Sequence, residues 1–179
     1  MHRFITPVAG VTFRFAARED VPVLLTLIRE LAEFERLIDH VTADEQTLAD
    51  ELFGARRVAE VVLAEKAGEA VAFAVYFHNF STFVGRAGLY LEDLYVRPHA
   101  RRNGIGRALI QFVAKTAVDR NCGRFEWSVL DWNTRAIDFY RSLGAVAMSD
   151  WTVQRVTGDA LARLGSVGFP AVPVGEARS

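Results

Sequence analysis

The sequence predicts an α+β fold. Three observations lead there: β-rich runs lie toward both ends of the 179-residue chain, amphipathic helical periods lie between them, and the elements do not alternate as a regular β-α-β series. With 51% hydrophobic and 24% charged residues, the composition suits a single soluble core. A formal net charge of −1 gives no field that favours nucleic acid or an anionic membrane over a small ligand. Cys122 is the one cysteine, which excludes an internal disulfide and a multi-cysteine zinc site and fits a reducing cytoplasm. His2, His40, His78 and His99 are scattered without ligand-like spacing, so no metal is expected. No stretch resembles a signal peptide or approaches the roughly 20 apolar residues of a membrane span, so the expectation is a cytoplasmic protein with neither membrane nor nucleic-acid partners.

Phe13, Phe15 and Ala17 alternate with Arg14 and Ala16, the pattern of a short half-buried strand. Asp20 and Pro22 suit the start of a helix whose apolar face is Leu24, Leu27, Ile28, Leu31 and Phe34, ending near Leu37. Thr42-Ala43-Asp44-Glu45 has the form of a capping box for a second helix reaching about Phe53. Val58 to Ala64 and Ala70 to His78 read as a hairpin turning near Gly68, and Leu89 to Val96 as a strand stopped by Pro98. From Gly104 onward, Ile105, Ala108, Leu109, Phe112, Val113 and Thr116 mark a helix. Arg124 to Val129 reads as a strand, Thr134 to Leu143 as a helix closed by Gly144, and Val146 to Val156 as one or two further strands. The Gly, Pro and Ala content of Gly165 to Ser179 predicts a frayed tail or loosely held last strand.

The chemistry concentrates where the strand ending at Val96 passes through Arg97-Pro98-His99-Ala100 into Arg101-Arg102-Asn103-Gly104-Ile105-Gly106-Arg107. Glycines 104 and 106 let a ligand oxygen approach amides that a starting helix leaves unpaired, and the helix dipole favours an anion there. Arg101, Arg102 and Arg107 add charged donors. A Walker A loop would need Lys-Ser/Thr after Gly106, where Arg107-Ala108 stands, and a dinucleotide fingerprint would need a small residue in place of Leu109. On its own the stretch also fits a plain helix start beside solvated arginines.

Arg101-x-x-Gly104-x-Gly106 resembles the first signature of the GNAT acetyltransferase superfamily, and Asn133-x-x-Ala136-x-x-Phe139-Tyr140-x-x-x-Gly144-Ala145 resembles its second. Within that superfamily the match is closer to the diamine (spermidine/spermine) and thialysine N-acetyltransferases, through Leu89-Tyr90-Leu91-Glu92-Asp93-Leu94, Glu30 to Glu35, and Trp132-Asn133. The resemblance implies one domain over residues 11–164, with 1–10 and 165–179 as terminal extensions. Its fold would be a central mixed, mostly antiparallel twisted sheet flanked by helices. It further implies acetyl-CoA as co-substrate, its pantetheine arm along the backbone of Leu94, Tyr95 and Val96 and its diphosphate held by Arg101, Arg102, Asn103, Gly104, Ile105, Gly106 and Arg107. Asn133, Ala136 and Tyr140 would lie beside it. Glu92, Asp93, Phe34, Glu35, Glu126, Trp127 and Ser128 would line the amine pocket. Diamine acetyltransferases usually carry Tyr-Glu where Phe34-Glu35 stands, and a longer acidic insert near Ser149-Asp150-Trp151, departures that weaken the case for a long polycation such as spermine and leave a shorter amine an equal candidate.

An alkyl ammonium near pKa 10 must lose a proton before it attacks a thioester. Glu92 is the candidate base, directly or through water, with partial burial expected to raise its pKa, and Tyr140 is the candidate acid for the leaving thiolate. Amides near Leu94 could stabilise an oxyanion. Each residue also has a plainer reading: Glu92 and Asp93 as solvated strand residues, Tyr140 and Trp127 as packing aromatics, Glu35 as the polar side of a helix. The rival functions are a protein or peptide N-acetyltransferase and a non-catalytic acyl-CoA-binding sensor. The resembling enzymes are commonly homodimers, so a homodimer is expected.

Overall fold

The structure is a computed structural model that describes residues 3–168. It divides into two compact units, Met1–Leu130 and Asp131–Ser179. The first is built on a six-stranded sheet whose strands lie in chain order: β1 (Arg3–Ile5), β2 (Val11–Phe15), β3 (Glu60–Lys66), β4 (Glu69–Ser81), β5 (Arg86–Val96) and β6 (Phe125–Trp127). Every neighbouring pair is antiparallel except β5 and β6, which run parallel, so the sheet is mixed and mostly antiparallel. Arg3–Ile5 supplies β1 from within the segment expected as an N-terminal extension.

The helices of this unit are α1 (Val21–Glu35), α2 (Glu45–Phe53) and α3 (Ile105–Asp119). Leu24, Leu27 and Leu31 of α1 and Leu52 of α2 pack with Val61, Leu63, Phe73, Val75 and Tyr95 of the sheet. Leu24 and Leu27 are wholly buried, each stabilising the fold by about 2 kcal/mol on area grounds. α3 packs against β4 and β5, and its Phe112 ring meets Phe4, Phe13 and Phe15 edge-on at 5.0–6.1 Å between centroids. Phe13 and Phe15 thus share the face of β2 that meets α3, with Phe15 still 37% exposed, while Arg14 on the other face is buried.

The hairpin between β3 and β4 turns at Ala67 and Gly68, both left-handed with φ of 50° and 83°. This is the two-residue turn whose twist matches the flanking strands. α1 stops two residues before the expected Leu37, at a left-handed Arg36 whose following amide, Leu37 N–H, donates to Ala32 at 2.8 Å.

Two expected caps are replaced. Asp20 does not cap α1, because its carboxylate accepts from Arg14 Nη1 and Nη2 at 2.6 and 2.7 Å and from the Ala17 amide at 2.8 Å. Arg14 Nε also donates to Glu65 at 2.7 Å, and all three side chains are buried. A buried guanidinium must be paired, and the pairing holds Asp20 below the usual carboxylate range while raising Arg14. The Thr42–Glu45 capping box does not form either. α2 begins at Glu45, so Asp44 occupies the cap position and accepts from the Thr47 amide at 2.7 Å.

The second unit contains α4 (Thr134–Arg141) and α5 (Gly158–Leu164), the latter unanticipated. Gly144 closes α4 as expected, with φ of 91° and the Ala145 amide donating to Tyr140. No strand forms over Val146–Val156, contrary to the sequence reading. Val146 is 83% exposed and Trp151 71%, and without a ladder partner among the described residues their β propensity has nothing to pack against. The tail expected beyond Leu164 lies, from residue 169 onward, outside the described residues.

Candidate active site

The site is assembled around the end of β5. Along this strand Val75 of β4 faces Asp93 while Tyr76 faces Leu91, so Glu92 is the extra residue of a β-bulge. The bulge reverses the side-chain phase. Leu89 and Leu91 before it and Leu94 and Val96 after it occupy the same sheet face, as their partners His78, Tyr76, Ala74 and Ala72 do. The slip was visible in the sequence as an apolar register that changes from odd to even positions at Glu92-Asp93.

β6 pairs with β5 only across Leu89, Tyr90 and Leu91. Beyond Leu91 that edge of β5 carries no strand among the described residues, which leaves main-chain groups of Glu92–Val96 available to a ligand. One of them is occupied by the protein itself: Arg101 Nε donates to the Val96 carbonyl at 2.7 Å.

A single-turn helix at Pro98–Ala100 follows, and then the glycine turn. Arg102 and Gly104 are both left-handed, with φ of 64° and 83°, a backbone shape that points successive amides inward as an anion-binding concavity. Among the described residues, the amides of Arg102, Asn103, Gly104, Ile105 and Gly106 meet no main-chain acceptor, and the first bond into α3 is Ala108 to Gly104 at 2.9 Å. A Cβ on Gly106 would meet the Val96 and Leu94 side chains at 3.7 and 3.9 Å, so the start of α3 packs closely on the end of β5. These features fit a diphosphate and its attached arm. The Arg101 side chain is not splayed toward the amides: its guanidinium lies over the Phe34 ring at 4.8 Å and the Tyr95 ring at 5.4 Å.

On the face of β5 toward α1, Asp93 approaches Glu35, the last residue of α1. Burial, then the charges of Glu92 and Glu35, push the Asp93 carboxyl up to about 6. Burial also raises Glu35. The partial burial expected of Glu92 is not found. Its side chain is exposed because the bulge turns it off the packed face, and the more buried carboxylate of the pair is the half-buried Asp93. Glu35, Glu92 and Asp93 together form a carboxylate cluster suited to an ammonium.

Of the remaining pocket residues, Glu126 accepts from Asn79 Nδ2 at 2.9 Å and pairs with Arg124 at 2.8 Å. Trp127 stacks with Phe125 at 4.9 Å between centroids, and Ser128 shares a 2.7 Å hydrogen bond with the Tyr90 hydroxyl. Asn79 and Tyr90 were not anticipated, and no sequence signal marks them. In the second unit, Asn133 Oδ1 accepts from the Ala136 amide at 3.2 Å, so the Asn-x-x-Ala pattern is the N-cap of α4. Tyr140 lies near the end of that helix, half-buried, its ring 5.3 Å from Phe139. Among the described residues no group of three or more His, Cys, Asp or Glu side chains could hold a metal, and no helix is long and apolar enough to cross a membrane.

The open edge of β5 and the left-handed turn have the shape of an anion site, with the carboxylates of Glu35, Glu92 and Asp93 beside the same strand. The acetyltransferase (GNAT) family model matches residues 25–145, and the chain belongs to that family and is an acyltransferase. It is 40% identical over 167 residues to the thialysine N-epsilon-acetyltransferase of Sus scrofa, covering 87% of this chain and 98% of that one. It is 33% identical over 193 residues to an L-ornithine N5-acetyltransferase of Arabidopsis thaliana, covering 83% and 85%. Among solved structures, an integron cassette protein of V. cholerae superimposes with a TM-score of 0.75 at 26% identity, covering 88% of this chain and 99% of that one.

Proposed function

We propose that this chain transfers the acetyl group of acetyl-CoA to a primary amine of a small molecule, a diamine, polyamine or thialysine-like amino acid, by direct attack in a ternary complex. The observation that carries the reading is the left-handed turn at Arg102–Gly104, with its row of amides lacking main-chain acceptors, following the end of the strand that carries Glu92 and Asp93. Similarity to acetyltransferases named for thialysine and ornithine supports a compact acceptor with a terminal amine.

In this reading the amides from Arg102 to Arg107 hold the diphosphate, the Leu94–Val96 edge aligns the arm, and Asn133 and Ala136 lie beside it. Acetyl-CoA supplies the activated acyl group. Asp93 and Glu35, with Phe34, Glu126, Trp127 and Ser128, hold and orient the ammonium. Glu92, exposed on the bulge, takes its proton directly or through water, and Tyr140 protonates the departing thiolate. Amides near Leu94 stabilise the developing oxyanion. Residues 11–164 act as one domain, in a cytoplasmic homodimer that needs no metal.

The test is acetyl-CoA turnover measured in parallel against diamines, polyamines, thialysine, ornithine, lysine and short peptides. Small amines are expected to react and peptides not to. Tyr140→Phe is expected to lower kcat about 100-fold while changing acetyl-CoA affinity less than about threefold, within the usual range for losing a general acid. Equal activity in that variant would remove Tyr140 from the mechanism, and acetyl-CoA binding without turnover on any amine would favour an acyl-CoA sensor.

A further inference from the structure

Arg97 stands immediately before the turn, and its guanidinium joins three elements. Nε donates to both oxygens of Glu30 at 3.1 and 3.0 Å and Nη2 donates to the same carboxylate at 2.8 Å, so the tie to α1 is multiple. Nη1 donates to Glu69 of β4 at 2.6 Å and to the Ala70 carbonyl at 3.2 Å. The Arg97 side chain is 16% exposed and that of Glu30 29%, so the pair is partly withdrawn from water and geometrically specific.

Four residues later Arg101 lies over Phe34, which is itself four residues after Glu30. Residues four apart on a helix share a face. Two arginines that bracket the entry to the turn therefore grip two positions one helical turn apart on α1, directly before the helix ends at Glu35. Glu35 belongs to the carboxylate cluster with Asp93, whose position is fixed by β5, the strand that Arg97 follows.

We propose that Arg97 is a positioning residue for the acceptor pocket. Through Glu30 it sets where the last turn of α1 sits against β5, and so the spacing of Glu35 and Asp93, without itself touching substrate. The second arm, to Glu69, anchors Arg97 to β4 and leaves the α1 tie intact when removed. The inference rests on the amine-acetyltransferase reading and adds to it a residue that governs amine affinity from outside the pocket.

The experiment is steady-state kinetics at saturating acetyl-CoA, with whichever of the diamines, polyamines, thialysine or ornithine the wild type acetylates fastest, on Arg97→Gln, Glu30→Gln, the double variant and Glu69→Gln. Arg97→Gln and Glu30→Gln are each expected to raise the amine KM about fivefold with kcat within about twofold, and the double variant to be no worse than either single one, as for two ends of one interaction. Glu69→Gln is expected to move the amine KM less than about twofold. Glu30→Gln preserves shape and keeps the test decisive if Arg97→Gln folds poorly. An active wild type with unchanged amine KM in Glu30→Gln, or with fully additive effects in the double variant, overturns the positioning role alone. A wild type that acetylates none of these small amines overturns the functional reading beneath it.

Discussion

Gly106→Ala is expected to strengthen the fold and weaken acetyl-CoA binding at once. Alanine at the second position of α3 gains up to about 1 kcal/mol in helix propensity over glycine. Its Cβ would rest at 3.7 and 3.9 Å from Val96 and Leu94, ordinary packing distances, so the protein accommodates it. The same methyl stands between the amides proposed to hold the diphosphate and the Leu94–Val96 edge along which the pantetheine arm is proposed to run. We expect the dissociation constant for acetyl-CoA to rise about tenfold in Gly106→Ala and about 100-fold in Gly106→Val, the latter worth roughly 2.8 kcal/mol. Calorimetric titration with thermal unfolding checks both signs. Unchanged affinity in Gly106→Val would mean that the ligand does not pass beside the start of α3.

The second large effect concerns Asp93. Its carboxyl is pushed up to about 6 by burial and by the charges of Glu92 and Glu35, from an ordinary value of 3.8. A carboxylate with a raised pKa holds its proton longer in the folded than in the unfolded chain, so stability falls as pH rises from about 4 through about 6. The penalty is complete above that window and absent below it. Asp93→Asn is therefore expected to stabilise the protein at pH 7.5 by about 2 kcal/mol, with the gain disappearing near pH 4. It is expected to lower kcat/KM for the amine at least about tenfold, since a charged hydrogen bond to the ammonium is lost. In the wild type, amine kcat/KM should fall as pH drops through about 6, whereas Asp93→Asn should lose that acidic limb. A variant that is neither more stable nor less active would remove Asp93 from the pocket.

Much of this site was legible in the sequence because it is local. The turn needs Gly104 at a φ of 83° and a small residue at 106, the strand before it ends at Pro98, and the helix after it shows its apolar face, all within about twenty residues. The Ala67–Gly68 hairpin and the Gly144 helix end were legible for the same reason. Features that depend on distant partners were not. Asp20 looks like a helix cap until Arg14 and Glu65 are brought to it across β2 and β3, and nothing near Arg97 in the chain announces Glu30. Arg101 reads as a phosphate ligand, and nothing near it in the chain announces that its guanidinium lies over the Phe34 and Tyr95 rings. The alternation in Val146–Val156 predicted strands that pairing does not complete.

The difference in exposure between Glu92 and Asp93 has a single geometric cause. One extra residue in β5 turns Glu92 into solvent and leaves Asp93 half-buried on the face toward α1, which suits the proposed division between a proton acceptor in contact with water and a carboxylate that binds charge. The early departure of β6 leaves the edge of β5 beyond Leu91 open, where the acyl group is proposed to lie.

The most direct test is a crystal structure of the protein with bound acetyl-CoA. The diphosphate oxygens are expected within about 3 Å of the main-chain nitrogens between Arg102 and Arg107, with the thioester beside Leu94. A diphosphate bound elsewhere, with those amides facing only solvent, would contradict the account.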